Sequence, residues 1–199
     1  MDRIPPPPYI ANVPVPVAER LRARRHHASE RPLLSYHRPA TTPSPRRGRL
    51  PSARRLTAHD VPELCRLADG HVEPIPRSYR TVDLQVDRVW GIDLDGRLAG
   101  LARAHVTLRE LWFVNGVFTL PGARNRGIGG AVTAAVARDA HNSGAEAALF
   151  VFEENEPARR AYERVGFVQV GRRTLLESEG LSDRPRPAPG GSSASPRSR

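Results

Sequence analysis

The apolar run "LWFVNGVFTL", residues 111–120, passes directly into "GARNRGIGGA", residues 122–131, which packs four glycines and two arginines into ten positions. Beyond it Ile128, Ala131, Val132, Ala135, Val136 and Ala140 recur at helical spacing until "NSG" ends the pattern. A near-continuous apolar run of this length reads as a central strand, buried on both faces. Strand, glycine-rich turn and helix in that order restrict the chain to architectures that pack helices on a sheet. The first N–H groups of a helix lack partners and lie at the positive end of its dipole, so such a turn is an anion site that glycines allow a phosphate to approach. A P-loop is excluded because Gly-Lys-Ser/Thr is missing, and Gly127, Gly129 and Gly130 do not have the dinucleotide G-x-G-x-x-G spacing. A plain tight turn with helix-packing glycines is the competing interpretation.

The flanking segments extend the same pattern. "LTAHDVPELCRLADG" opens with Thr57 and Asp60 at capping-box spacing and predicts a helix with Val61, Leu64, Cys65 and Ala68 on one face, stopped at Gly70. "RVWGIDL" and "RLAGLARAHVTL" flank Asp95-Gly96, a dipeptide that favours a two-residue hairpin turn. "AALFVF" predicts a further buried strand, and Asn155 caps a helix whose face is Ala158, Ala161, Tyr162 and Val165, with Gly166 as its stop. "FVQVGRRTLLE" completes the series. The expected fold is α/β, a mixed and mostly antiparallel central sheet flanked by helices.

Composition divides the 199 residues and their charge of +10. Residues 1–55 hold twelve arginines against three acids and 181–199 four against one, while the intervening body is close to neutral. Fifteen of the 20 prolines lie in the same terminal stretches. Such segments bury too little apolar surface to offset ordering entropy, so residues 1–52 are expected as a disordered Pro/Arg-rich arm, 53–178 as the folded domain and 179–199 as a disordered tail. Within the arm, residues 17–27 have the pattern of a short basic helix. Lysine is absent, so the arginine excess fits a GC-rich coding bias better than selection for phosphate, which disfavours nucleic acid as the partner. One cysteine, Cys65, excludes an intrachain disulfide and a multi-cysteine metal site, and it fits a buried apolar residue better than a nucleophile. No metal is expected. No stretch is apolar enough to span a membrane, which with the single cysteine leads to the expectation of a cytoplasmic protein.

"RNRGIGGA" fits Q/R-x-x-G-x-G/A, and "NEPARRAYERVGF", residues 155–167, supplies an Asn…Ala…Tyr…Gly-Phe segment about thirty residues later. In these two motifs, in order and on the expected elements, the chain resembles the GNAT superfamily of acyl-CoA-dependent N-acetyltransferases. The likeness covers roughly residues 53–177, and "AGLARAH" with "VNGVFTLPGARNRG" is similar to its FR47-like subgroup.

The resemblance implies acetyl-CoA as co-substrate and a primary amine, of a small molecule or a protein, as acceptor. It places the pyrophosphate on the backbone amides of Asn125, Arg126, Gly127, Ile128, Gly129 and Gly130, with Arg124 at the first position of the motif. The pantetheine arm would lie in a gap between the central strand and the next, against Val117, Phe118 and Thr119, with Asn155 as a further contact. Tyr162 takes the position of the general acid that protonates the departing thiolate. Glu110 and His105 are the candidates for the base. Asn115-Gly116 suggests a bulge that aims an amide at the acyl oxygen. Two departures from the family pattern stand out: residues 70–86, where acceptor-binding elements belong, are short, and no separate strand follows "RRTLLES", leaving an edge that a second copy of the chain would cover. A non-catalytic acyl-CoA-binding regulatory domain and an adaptor acting through the Arg-rich arms are the alternatives from other function classes.

Overall fold

The computed structural model describes residues 10–22, 29–43, 51–69, 84 and 87–177, which form two compact units. The larger unit is residues 33–171; the smaller combines residues from the two ends of the chain.

In the larger unit, β2 (Ser29–Arg38), β3 (Arg54–Arg55), β4 (Arg88–Leu94), β5 (Arg97–Thr107), β6 (Leu111–Thr119) and β7 (Glu146–Phe152) follow β1 (Ile10–Pro14) in the chain and line up in the order β2-β7-β6-β5-β4-β3. β6 and β7 run parallel, and the other pairings of these strands are antiparallel. The sheet is thus mixed and mostly antiparallel, with β6 inside it, as its apolar run requires. Asp95 and Gly96 both take positive φ, 51° and 75°, and close the β4–β5 hairpin with the twist that a two-residue turn demands.

One face of the sheet is covered by α3 (Ile128–Asn142) and α4 (Glu156–Arg164), the other by α2 (Val61–Asp69). The predicted α3 positions are all buried: Ile128, Ala131, Val132, Val136 and Ala140 cluster with Ala102, Ala104, Trp112 and Val114, and Ala135 is buried beside them in the helix. Their small side chains let the helix lie close to the sheet. Gly100 of β5 completes that fit, because a Cβ there would come within 2.4 Å of Ile128 Cγ2. Asp139 ties α3 to β4 by accepting from Trp90 Nε1 at 3.2 Å and pairing with Arg88 at 3.4 Å.

On the α2 face the N–H of Thr57 donates to Asp60 Oδ2 at 2.7 Å, the reciprocal half of the expected capping box. It opens a 3-10 turn, Ala58–Asp60, that runs into α2. The buried side of α2 is Leu64 and Leu67 against Leu56, Leu98 and Leu101; Val61, expected inside, is exposed, because the preceding turn rotates the helix start outward. Leu98 and Leu101 share this face despite their odd spacing. The β4 ladder shifts register between Ile92 and Asp93, leaving Ala99 as an extra residue in β5.

The disordered-arm expectation for residues 1–52 fails at residues 29–38. β2 pairs with β7 from Leu33↔Phe152 to Arg38↔Ala147, and Leu33, Leu34, Tyr36 and Arg38 are buried. Composition averaged over fifty residues hides a ten-residue strand whose burial is supplied by a partner more than a hundred positions away. Tyr36 donates to Glu163 at 2.7 Å, fastening β2 to α4, and the buried Arg38 donates Nε to Val165 O at 2.9 Å. Burial raises the Tyr36 phenol above its ordinary pKa and lowers that of the Arg38 guanidinium.

In the smaller unit β1 pairs antiparallel with the C-terminal part of β8 (Val168–Glu177), from Ile10↔Glu177 to Pro14↔Arg173. α1 (Val15–Arg22) packs Ala18 and Leu21 with Val13 and Leu176. The sheet edge expected to lie open beside "RRTLLE" is therefore occupied by β1 of the same chain. β8 is one strand, unbroken at Gly171. Of the expected basic helix of residues 17–27, residues 17–22 fall within α1, which begins at Val15, and residues 23–27 lie outside the described residues. The C-terminal tail of residues 179–199 and the stretch 70–83 lie outside the described residues.

Candidate functional site

β6 has different neighbours along its two flanks. Toward β5 it is laddered over its whole length, with two register shifts. Leu101 opposes Phe118 while Arg103 opposes Asn115, so Gly116 and Val117 face the single residue Ala102, with Gly116 at φ 57°. This is the bulge expected at Asn115-Gly116. The second shift lies between Ala104 and Val106, which leaves His105 as the extra residue on β5. Toward β7, pairing runs from Leu111↔Glu146 to Val114↔Leu149 and stops, although β6 continues to Thr119 and β7 to Phe152. The two strands part at Val114 and Leu149.

Backbone direction decides which β6 residues face that opening. The N–H of Leu120 donates to Ala99 O at 2.8 Å, so Leu120 and, two residues back, Phe118 turn their polar groups to β5. Val117 and Thr119 turn theirs to the open side. Phe118, expected to share this role, instead commits its backbone to β5 and its ring to the cluster around Leu101.

After Thr119 the chain makes a 3-10 turn, Pro121–Ala123, and enters the glycine segment. Asn125 at φ 64° and Gly127 at φ 77° bend the backbone through the left-handed region just before α3. The first bond of α3 runs from Ala131 N–H to Gly127 O, and the N–H groups of residues 125–130 have no acceptor among the described residues. They form a row of free donors at a helix start. The glycines there differ in duty. A Cβ on Gly129 would lie 3.5 Å from Thr119 Oγ1 and 4.0 Å from Val117 Cγ1, so Gly129 faces the open flank of β6. A Cβ on Gly130 would instead meet Val165 and Ala161 of the α4 segment, so this glycine serves helix packing. Arg124 and Arg126 are exposed, with Arg124 Nε reaching Thr119 O at 3.4 Å.

Tyr162 lies on the α3/α4 side, in the same buried cluster as Val114 and Leu149, where the strands part. Its hydroxyl has no hydrogen-bond partner among the described residues, and burial pushes the phenol up to about 12. It keeps its proton at neutral pH. Asn155 caps α4, accepting from Ala158 N–H at 3.2 Å.

On the opposite face a cavity of about 420 Å³ is lined by His105, Val106, Phe113, Val114, Asn115 and Phe150. The bulge at His105 turns consecutive β5 residues to this side, which sequence alternation alone left ambiguous. Glu110 is not part of it: the side chain is 80% exposed beside Arg109, at the end of β6 remote from the opening. Two further groups belong to the site. Arg103, buried, donates Nε to Asn115 Oδ1 at 3.2 Å and pairs with Asp87 at 3.2 Å, and Phe150 stacks on Phe113 with ring centres 5.5 Å apart. The odd placement of an arginine in the apolar run "LAGLARAH" was the signal for Arg103; nothing in "AALFVF" marks Phe150. Cys65 is half-buried in α2. Among the described residues no helix is long and apolar enough to cross a membrane, and no His, Cys, Asp and Glu side chains gather as a metal-binding group.

The family model "Acetyltransferase (GNAT) family" matches residues 58–167. A GNAT-family protein from Novosphingobium aromaticivorans DSM 12444 is similar in structure, with a TM-score of 0.64 and 27% identity over 88% of this chain and 69% of its own. GCN5-related N-acetyltransferases from Sphaerobacter thermophilus (TM-score 0.63, 19% identity, 84% of this chain and 58% of that one) and Kribbella flavida (0.59, 20%, 83% and 65%) share the fold. The chain thus spans between 58% and 69% of the length of these three structures. No curated protein matches it.

Proposed function

The chain belongs to the GNAT acetyltransferase family and is an acyltransferase, and from that premise we propose that it moves an acetyl group from acetyl-CoA to a primary amine by direct attack. The observation that carries the proposal is the conjunction of the parted β6/β7 flank with the free N–H row at the start of α3. Acetyl-CoA, as the substrate, supplies the activated acyl group. The donors of residues 125–130 suit its pyrophosphate, with Gly127 and Gly129 leaving room for close approach. From Thr119 back to Asn115 the open flank extends about 13 Å at roughly 3.3 Å per residue, and Val117 and Thr119 offer backbone groups along it. On this reading the reacting carbon lies at the point where the strands part.

Acceptor and acid then act from opposite faces of the sheet. The amine enters by the cavity, where His105 is the proposed base that takes its proton; imidazole is the side chain suited to that exchange near neutrality. The nitrogen lone pair forms the new bond to the acyl carbon as the carbon–sulfur bond breaks. Charge developing on the acyl oxygen is met by a backbone amide of the Asn115-Gly116 bulge. Tyr162, protonated on the other face, passes its proton to the departing sulfur.

Titration calorimetry of the full chain tests the substrate assignment. Acetyl-CoA is expected to bind saturably and acetyl-pantetheine, which lacks the phosphates, weakly. Gly129→Glu, which sets a carboxylate on the open flank, is expected to weaken acetyl-CoA at least about 100-fold. Unchanged affinity in a folded Gly129→Glu variant refutes the pyrophosphate site.

A further inference from the structure

We propose that Arg38 of β2 is a positioning residue for Tyr162: its buried guanidinium fixes the last turn of α4, and with it the phenol that protonates the departing sulfur. This inference rests on the acetyl-transfer reading and goes beyond it by giving a part in the reaction to a strand outside residues 58–167, the span that the family model matches.

A helix ends in carbonyls that lack partners inside it, and a cation is favoured there. Arg38 meets both needs. It is 3% exposed, and its Nε donates to Val165 O at 2.9 Å while Nη2 donates to Thr42 O at 3.0 Å and Pro43 O at 3.3 Å. The planar fork thus joins the end of α4 to residues 39–43, the turn by which the chain leaves β2. That turn is itself closed by the N–H of Thr42 on Pro39 O at 3.0 Å. Gly166 lets the two segments meet: it stands at φ 93°, and a Cβ there would come within 2.5 Å of Thr42 Cγ2 and 3.3 Å of Arg38 Nε.

Tyr162 belongs to the same turn. Its carbonyl accepts from the N–H groups of Val165 at 3.1 Å and Phe167 at 3.0 Å, and its ring lies against that of Phe167 with centres 6.3 Å apart. A shift of Val165 O is therefore passed to Tyr162. Tyr36, two residues before Arg38 on the same face of β2, holds the neighbouring Glu163 through its hydroxyl at 2.7 Å. The turn also rests on α3, where a Cβ on Gly130 would lie 3.5 Å from Val165 Cγ1 and 3.6 Å from Ala161 O. Arg38 thus sets the proposed acid against the helix that begins at the proposed pyrophosphate site. Taking a guanidinium out of water is costly. What it returns here is a fork whose geometry neither an apolar side chain nor a lysine ammonium reproduces.

The test is a double-mutant cycle on the full chain, following release of the coenzyme A thiol from acetyl-CoA with butylamine, spermidine or phenylethylamine as acceptor. Arg38→Met is expected to lower kcat about 10-fold with the KM for acetyl-CoA within about 2-fold, and to lower kcat by less than about 2-fold in the Tyr162→Phe background. Arg38→Lys, which keeps the charge and loses the fork, is expected to lower kcat at least about 3-fold, and it carries the same cycle if Arg38→Met does not fold. A second readout needs no turnover. In the chain labelled with ring-13C tyrosine, the Tyr162 signal, identified among the four tyrosines by its absence from Tyr162→Phe, is expected to shift or broaden in folded Arg38 variants. Equal losses of kcat with and without the phenol overturn the proposal, as does an unchanged kcat or an unchanged Tyr162 signal in those variants; each of these results leaves acetyl transfer standing. A Tyr162→Phe chain as fast as the parent removes the acid and this inference with it. Failure of the parent chain to release thiol removes the acetyl-transfer reading as well.

Discussion

The two flanks of β6 are made from the same nine residues and behave oppositely. Against β5 the strand is paired throughout and absorbs mismatches as bulges at Gly116 and His105; against β7 it keeps four register pairs and then separates. A sheet that parts would ordinarily close up, because unpaired backbone groups are costly. It stays open because β7 is held elsewhere: β2 pairs with β7 from Ala147 to Phe152, past the point where β6 leaves it. The opening is therefore built by one strand having two partners of unequal reach, and a flank that looks incomplete is where we propose that the substrate lies.

That contrast is breakable. The largest stability effect is expected from Leu34→Ala in β2, which removes a buried side chain from the strand that holds β7; a loss of about 3 kcal/mol in urea unfolding is expected. A loss under about 1 kcal/mol would mean that β2 is peripheral and that β7 is positioned by other contacts.

Next in size is Tyr162→Phe, which keeps the ring in the core and removes the phenolic proton of the proposed acid. It is expected to lower kcat about 100-fold while acetyl-CoA affinity stays within about 2-fold. An unchanged kcat assigns Tyr162 to packing alone. The same residue predicts a pH effect. Its folded phenol, pushed up to about 12, holds its proton where an unfolded tyrosine sheds it, so its stabilising contribution is complete below about pH 10 and is lost as pH rises toward 12. The change is on the order of 3 kcal/mol, and alkaline unfolding of Tyr162→Phe should lack that component.

The smallest effect belongs to the well-paired flank. His105→Gln is expected to lower kcat/KM about 10-fold at pH 7, with acetyl-CoA binding unchanged. A kcat/KM equal to that of the parent chain would send the search for a base to a water chain.

What could be read beforehand follows the same division. β6, the glycine turn, α3 and α4 are legible because their signals are local: an apolar run, helical spacing, a cap at Asn155 and a stop at Gly166. The Asp95-Gly96 hairpin is legible for the same reason. β2 is not, since "PLLSYH" is too short to raise the apolar content of its surroundings and its burial comes from β7. His105 could not be assigned to a face because a bulge, set by the register of two strands, overrides alternation. Glu110 was a candidate on residue type, and its place at the far end of β6 depends on which end of the strand opens. Val61 shows the limit of helical spacing at a helix start, where a 3-10 turn resets the phase.

The pairing of β2 with β7 also has a consequence for how the chain reaches its fold. His37 meets Glu146 across 109 positions, so during synthesis β2 emerges long before its partner and must wait as an unpaired apolar strand. Its neighbours suit that wait: "RPLLSYHRP" sets Arg31-Pro32 before the apolar residues and Arg38-Pro39 after them. Charge and a missing N–H at each boundary oppose strand addition by another nascent chain. The arginines and prolines that make this region look unstructured thus act as gatekeepers, guarding one of the last strands to be paired.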